Sequence, residues 1–209
     1  EIGKEAYKNA AFSHVKKAQE YLIREDYSTY HTYYMDVLTG LPRFGRTAQG
    51  FSDDSCWARG QAWGIYGFPI SFNHTGDTTL LDSAIHLADY FIEHLPEDKI
   101  PYWDLVFTEG AEERDTSAAS IAVCGLLELS RNLPLLHEKR AFYEETAKEI
   151  MASLMANYTT KNYPESNGLL TQGVYSKPEN NGVDECTTWG DYFYFEALTR
   201  LYKTWATFW

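Results

Sequence analysis

Three segments carry apolar residues at the spacing of one helix face, with charged residues on the opposite face. These segments are Ile2–Arg24, Thr79–His94 and Glu138–Met155. An apolar stripe that repeats every three to four residues is typical of a helix that covers a core while its other side faces water. The pattern therefore predicts three outer, solvent-facing helices.

Three other segments are apolar or aromatic nearly all round, with few charges except near their starts. They are Asp54–Phe68, Thr116–Leu129 and Trp189–Tyr202. Helices of this kind are usually buried on all sides. Outer and inner segments alternate along the chain, and such regular alternation indicates repeated helix hairpins. The pattern predicts an all-α fold, either an open superhelix or part of a closed (α/α) toroid.

A long loop precedes each inner segment, at residues 26–50, 95–114 and 162–188. The first loop alternates threonine and tyrosine and is expected to pair as short strands. Loops of this length without a helix of their own are typically functional or disordered. Because these loops are rich in tyrosine, tryptophan and histidine, we expect them to be ordered and to lie at one common end of the inner helices.

Composition narrows the classes of partner. The 209 residues carry a formal net charge of −12, which disfavours nucleic acid and anionic membrane surfaces as partners. No apolar run reaches the roughly 18 residues of a membrane span. Cys56, Cys124 and Cys186 lie far apart in the sequence and are expected to be buried thiols, with no disulfide framework, metal site or cofactor implied.

The densest candidate chemistry lies in the stretch FSDDSCWARGQAWGIYGF, where Arg59 stands among aromatic residues. One interpretation is structural: Arg59 pairs with Asp53 or Asp54 and caps a buried turn. The other is functional, because a guanidinium is a planar fork for a carboxylate or sulfate. In that case Trp57 and Trp63 would be stacking rings beside the anion.

Other candidates are weaker when taken singly. His31 stands among tyrosines, and Gly45, Thr47 and Gln49 are spaced by two, which places their side chains on one side of an extended segment. Asp115 in RDTSAAS is expected to be a helix N-cap.

Asp104 in YWDL and Asp191 in WGDY are candidate general acids. The sequence shows no matched pair of carboxylates around them.

Taken together, the blocks GRTAQGFSDDSCWARGQAWGIYGF, RDTSAAS and GVDECTTWGDYFYFEALTRL resemble the unsaturated glucuronyl hydrolases, glycoside hydrolase family 88. The resemblance runs nearly end to end. It implies an (α/α)6 barrel of roughly twice this mass. It also implies hydration of the C4=C5 double bond of an unsaturated uronic acid at the non-reducing end of an oligosaccharide. The family's two catalytic aspartates are expected upstream of Glu1, so no catalytic residue is assigned within residues 1–209.

By matching position, the resemblance implies a substrate-binding wall. Its members around the uronate subsite are His31, Gly45, Thr47, Gln49, Trp57, Arg59 and Trp63, and Ser176 lies near the neighbouring sugar. Gln172 and Gly173 stand where many relatives have histidine and serine, which makes acceptance of sulfated amino sugars an open question.

Several alternatives and expectations accompany this assignment. A non-catalytic helical-repeat protein that binds glycans or proteins is the alternative from another class, and an unsaturated rhamnogalacturonyl hydrolase is the alternative enzyme. The chain opens EIGKEAYKNA without methionine and is expected to be the C-terminal part of one toroid domain. Such a part is expected to self-associate through its inner face. The sequence leaves the compartment open between bacterial cytoplasm and periplasm.

Overall fold

The computed structural model describes residues 5–204 and residue 206. Within this part of the chain six helices account for most of the regular structure, so the all-α prediction is confirmed. Their bounds are α1 Glu5–Leu22, α2 Ala58–Thr75, α3 Thr78–Glu93, α4 Thr116–Asn132, α5 Glu138–Asn157 and α6 Thr188–Tyr202. The first helix was predicted to start at Ile2, which lies outside the described residues.

Helix α4 is the centre of the fold. Every residue from Thr116 to Leu126 is buried, as its apolar circumference predicts. It packs against α2 and α6 on the inner side and against α5 on the outer side. Contact with α2 is very close, since a Cβ atom added at Gly125 would lie 2.8 Å from the backbone of Ile65 and Tyr66. A glycine is therefore required where these two inner helices meet.

Inner helices α2, α4 and α6 point the same way. At their N-terminal ends the side chains of Arg59 and Ser117 are hydrogen-bonded, and Trp189 donates to Ser117. At their opposite ends Arg200 of α6 forms an ion pair with Glu128 of α4. The loops that precede the three inner helices consequently meet at one end of the molecule, as predicted.

The start and end of α2 differ from the predicted Asp54–Phe68. Residues 51–55 form bends and a turn, and the helix begins only at Ala58. The helix then continues through Pro69 to Thr75 and ends at Gly76, whose φ of 73° is left-handed. A glycine at this position is a common helix stop because it has no Cβ to clash. Pro69 lies in the middle of the buried face and does not end the helix.

Two antiparallel hairpins stand in the loops. Strands β1 (Thr32–Met35) and β2 (Pro42–Arg46) form the hairpin expected from the threonine–tyrosine alternation. Strands β3 (Gly173–Ser176) and β4 (Asn181–Glu185) form a second hairpin that the sequence reasoning described only as loop. Its alternation is too short to stand out, and its burial comes from contacts with α4.

Helix α1 contributes no fully buried side chain to the core. A groove of about 600 Å³ lies between it and α2, and residues 29–31, which lead into β1, also line this groove. No helix in the described part of the chain is long and apolar enough to cross a membrane.

Candidate functional site

Arg59 is the point at which the starts of the three inner helices meet. Its side chain is 4% exposed, and its Nη1 lies 2.7 Å from Oδ2 of Asp115, the N-cap of α4. The same nitrogen lies 3.2 Å from the Ser117 hydroxyl, to which the Trp189 indole also donates at 3.0 Å. The structural interpretation that paired Arg59 with Asp53 or Asp54 named the wrong acid. The partner is Asp115, 56 residues further along the chain.

The guanidinium also holds strand β3. It donates from Nη1 to the carbonyl oxygen of Val174 and from Nη2 to that of Tyr175, the latter at 2.8 Å. Aromatic rings lie close to the cation, with the centroids of Trp57 and Trp189 at 4.5 and 5.2 Å from Cζ. Arg59 thus lies between two indoles, and the second is Trp189 rather than Trp63.

His31 is held as a neutral imidazole. Its Nδ1 accepts hydrogen bonds from the backbone N–H groups of Ala48 and Gln49 at 3.0 and 3.2 Å, so that nitrogen carries no proton. Burial lowers the pKa of His31 below its ordinary value, and the positive charge of Arg59 lowers it further. The remaining proton is on Nε2, and the ring lies 4.3 Å from that of Trp57.

The segment 45–49 begins in the last two residues of β2 and leads towards the inner helices. A side chain at Gly45 would collide with the Tyr30 ring, since an added Cβ would lie 2.2 Å from it. The Thr47 hydroxyl accepts from the Gly50 N–H at 2.7 Å and faces its own turn. Gln49 donates from Nε2 to the Tyr175 carbonyl at 2.9 Å, which is the oxygen that Arg59 also reaches.

Trp57, the N-cap of α2, and Trp63, within α2, differ in access. Trp57 is 7% exposed and lies between His31 and Arg59, whereas Trp63 is 37% exposed. Both line the groove between α1 and α2, which also includes His31. Trp63 packs edge-on against Phe193 of α6 at 5.1 Å, so its ring is supported from one side. This arrangement presents an indole and an imidazole on one wall of an apolar groove.

Ser176 ends strand β3. It is fully buried, and its hydroxyl has no hydrogen-bond partner within the residues that the structure describes. Nearby, an added Cβ at Gly173 would lie 2.9 Å from the Glu185 carbonyl oxygen. Gln172 has a left-handed φ of 57°, and its carbonyl accepts from the Thr116 N–H at 3.1 Å. The strand is therefore tied to the first turn of α4.

Comparison with known proteins adds a consistent set of relatives, although no protein-family model matches the chain. The unsaturated chondroitin disaccharide hydrolase of Streptococcus pneumoniae is 42% identical over 210 residues, which cover 100% of this chain and 53% of the relative. An unsaturated glucuronyl hydrolase of Bacillus sp. is 38% identical over 100% of this chain and 56% of its own length. The crystal structure of the Streptococcus agalactiae unsaturated glucuronyl hydrolase superposes with a TM-score of 0.96 and 42% identity, covering 100% of this chain and 53% of that one. The chain is homologous to the unsaturated glucuronyl hydrolases.

It spans about half the length of the relatives it matches. The unsaturated glucuronyl hydrolase structures have an (α/α) toroid fold, and the helix hairpins seen here are consistent with part of such a toroid. A structure of an unsaturated glucuronyl hydrolase specific for heparin also matches, with a TM-score of 0.85 and 34% identity over 92% of this chain and 52% of that one.

Three carboxylates near the starts of the inner helices are engaged in structural hydrogen bonds. Asp115 caps α4, as expected, accepting from the N–H groups of Ser117 and Ala118. Asp104 is fully buried and accepts from the Phe51 N–H at 2.9 Å, with further bonds from Ser55 and Val106. Asp191 accepts from two consecutive loop N–H groups at 2.9 and 3.0 Å. Their geometry is that of carboxylates that hold loops.

One cysteine prediction was wrong. Cys56 and Cys124 are buried, but Cys186 is exposed, because it directly follows the solvent-facing strand β4. Burial raises the pKa of the Cys56 thiol to about 12, so this group is protonated at neutral pH.

Sequence reasoning missed three members of the site. The Asp115 carboxylate, the Tyr175 carbonyl and the Trp189 indole all contact the Arg59 guanidinium. A capping motif predicts the local bonds of Asp115 but gives no sign of a partner in another helix. The one available signal was that RDTS and TWGD both occur where an inner helix begins.

Proposed function

We propose that this chain is part of an unsaturated glucuronyl hydrolase and supplies one wall of the site for the unsaturated uronyl sugar. The proposal is carried by the match to the Streptococcus agalactiae enzyme over the whole chain, with 42% identity and a TM-score of 0.96. We further propose that residues 1–209 form the C-terminal part of a single toroid domain.

The substrate class proposed is an oligosaccharide that ends in an unsaturated uronic acid. A variant of the Streptococcus agalactiae enzyme was solved in complex with dGlcA-GalNAc6S, and the Streptococcus pneumoniae relative is named for a chondroitin disaccharide. The proposed reaction protonates C4 of the sugar and adds water at C5, after which the resulting hemiketal rearranges and releases the next sugar. The necessary aspartates are proposed to come from the part of the relatives' length that this chain does not span.

Roles for the wall follow from its geometry. Trp63 is the more accessible indole and is proposed as a platform for the apolar face of the sugar. His31 offers an Nε2–H donor, since its Nδ1 is used by the backbone. Gln49 holds a fixed position because its amide nitrogen is bonded to Tyr175. Gly45 and Thr47 shape the turn that carries these groups.

Two residues are assigned to the anion and to the second sugar. Arg59, flanked by Trp57, is proposed to lie beside the uronate; its ion pair with Asp115 offsets its charge, so it contributes by fixing this wall of the site rather than by net positive potential. Ser176 is proposed to lie near the neighbouring sugar; its hydroxyl is buried and has no protein partner within the described residues.

We propose that this site does not favour sulfated amino sugars. Gly173 brings no hydroxyl, and the backbone of Glu185 leaves no room for a side chain there. The Lys177 ammonium is already paired with Glu113. Competition between sulfated and unsulfated unsaturated disaccharides for the protein tests this point, and a clear preference for the sulfated sugar would contradict it.

A chimera tests the proposed function. In the Streptococcus agalactiae enzyme, the segment that this chain matches is replaced by residues 1–209, and hydration is followed by loss of the ultraviolet absorbance of the conjugated double bond. We expect turnover by the chimera and none by the 209-residue chain alone. A chimera that melts cooperatively but is inactive would refute the function. Turnover by the chain alone would refute the placement of the catalytic aspartates.

A further inference from the structure

The β3–β4 hairpin of the proposed site is held in place by side chains from other parts of the chain. Its first strand is joined to the rest of the molecule by backbone carbonyls. Those of Val174 and Tyr175 accept from Arg59, and that of Tyr175 also accepts from Gln49. This strand carries Ser176, so the place of the Ser176 hydroxyl depends on what fixes Arg59.

Asp115 fixes Arg59, and it uses separate oxygens for separate tasks. Oδ1 accepts from the Ser117 N–H at 3.1 Å and from the Ser117 hydroxyl at 2.5 Å, which is the capping role. Oδ2 accepts from Arg59 at 2.7 Å, which is the ion pair. Because both side chains are almost fully buried, the pair is protected from water and from screening by salt.

We propose that Asp115 is a positioning residue for the sugar site, acting through Arg59 to fix the Val174 and Tyr175 carbonyls and with them Ser176 and Gln49. The proposal rests on the proposed function only in calling this place a sugar site. The anchoring of the hairpin stands on the hydrogen bonds alone.

The change in sugar affinity on removal of the Asp115 charge distinguishes anchoring of the hairpin from direct electrostatic attraction by Arg59. If Arg59 acted only as a direct cation for the uronate, removal of the negative charge of Asp115 would strengthen binding of an anionic sugar. If Arg59 is an anchor held by Asp115, the same change loosens the hairpin and weakens binding. In that case an unsaturated disaccharide and its neutral methyl ester lose affinity together.

Asp115→Asn is the variant that tests the proposal, since its amide oxygen can keep the capping bonds at Oδ1 while the ion pair is lost. Asp77→Asn is the matched control. Asp77 caps α3 and pairs with Lys16 at 3.1 Å on the outer layer, away from the hairpin. Two properties of the 209-residue chain are measured. The first is hydrogen exchange of residues 173–185. The second is the affinity for unsaturated chondroitin disaccharide and for its methyl ester, which tryptophan fluorescence reports.

For Asp115→Asn we expect exchange in the hairpin to quicken by about tenfold or more, with residues of α5 unchanged, because only the local opening equilibrium shifts. Affinity for both sugars should fall by about tenfold, whereas Asp77→Asn should leave both readouts at wild-type values. Unchanged hairpin exchange, or tighter binding of the charged sugar alone, would overturn the proposal.

A second variant covers the case in which Asp115→Asn leaves a buried charge that prevents folding. Asp115→Asn combined with Arg59→Gln removes both charges, so no uncompensated ion remains in the interior. It should show the same rapid hairpin exchange, and a protected hairpin in this double variant would count against anchoring. If the wild-type chain binds neither sugar, the exchange data still decide whether Asp115 anchors the hairpin, and the chimera decides the proposed function separately.

Discussion

At the scale of single residues, the burial of Arg59 calls for a physical explanation. A charged group transferred from water to an apolar interior is strongly destabilised unless it is paired and hydrogen-bonded. Here the carboxylate of Asp115 neutralises the charge, and two strand carbonyls accept further bonds from the fork. The planar guanidinium reaches all of these partners together, which a lysine ammonium on a single stem does not do.

Arg59→Lys should therefore lower the melting temperature. Loss of charge-assisted hydrogen bonds costs about 1.5–3 kcal/mol, and each kcal/mol shifts the melting temperature of a domain of this size by roughly 2–4 °C. Differential scanning calorimetry is expected to show a decrease of roughly 3–12 °C. Arg46→Lys is the control, because Arg46 is exposed and lies 3.6 Å from Asp53. An unchanged melting temperature for Arg59→Lys would show that the fork is not needed for stability.

The second residue-scale prediction concerns pH and His31. Its pKa in the folded chain is lowered by burial and then by Arg59, relative to about 6.5 in the unfolded chain. As pH falls through about 6.5, the unfolded chain gains a proton that the folded His31 does not. The contribution of His31 to the free energy of unfolding is therefore fully present above about pH 6.5. It is lost progressively as the pH falls from there to the lower pKa of the folded state.

His31→Asn supplies the matched comparison, because its amide oxygen can accept from Ala48 and Gln49 but does not titrate. Melting temperatures of both proteins are measured from pH about 7.5 to about 5.5, the range in which histidine titrates. The wild-type value should fall more steeply than that of the variant. Parallel curves would mean that the pKa of His31 is the same in the folded and unfolded chains.

At the scale of elements, the helices were predictable and the contacts between them were not. The type of each helix follows from local periodicity, as with the fully apolar circumference of α4. The Arg59–Asp115 pair joins residues 56 positions apart, and no local pattern encodes that distance. The β3–β4 hairpin was missed for a similar reason, since the contacts that tie β3 in place reach it from α2 and α4 rather than from its own short sequence.

Gly125→Ala should be destabilising, even though alanine is intrinsically the better helix former. Its Cβ would lie 2.8 Å from the α2 backbone at Ile65 and Tyr66, and neither helix can move without disturbing the core. Overpacking of this kind costs about 1–3 kcal/mol. Gly67→Ala on α2 is the matched control, because nothing lies within 4 Å of its added Cβ.

Chemical denaturation measures the free energy of unfolding of both variants. Gly67→Ala should be neutral or more stable by up to about 1 kcal/mol, since it removes only backbone freedom. A Gly125→Ala protein as stable as Gly67→Ala would show that α2 and α4 are not in such close contact.

At the scale of the whole molecule, apolar exposure and net charge oppose one another. Tyr192, Phe195 and Tyr202 lie along one face of α6, and Phe195 is 66% exposed. Large contiguous apolar patches are rare on monomers and usually mark an interaction surface. A net charge of −12 acts in the other direction, because like-charged copies repel each other at low ionic strength.

We therefore predict that the 209-residue chain self-associates through the exposed α6 face, and that salt promotes the association by screening the repulsion between copies. Sedimentation velocity should show larger species as protein concentration rises, and more of them at high ionic strength. Phe195→Glu should restore the monomer. Leu136→Glu makes the same change in charge on the α4–α5 turn, where Leu136 is 99% exposed, and should leave association unchanged. Equal effects of the two variants would mean that charge alone controls association, and a wild-type chain that stays monomeric at high salt would remove α6 as an interaction surface.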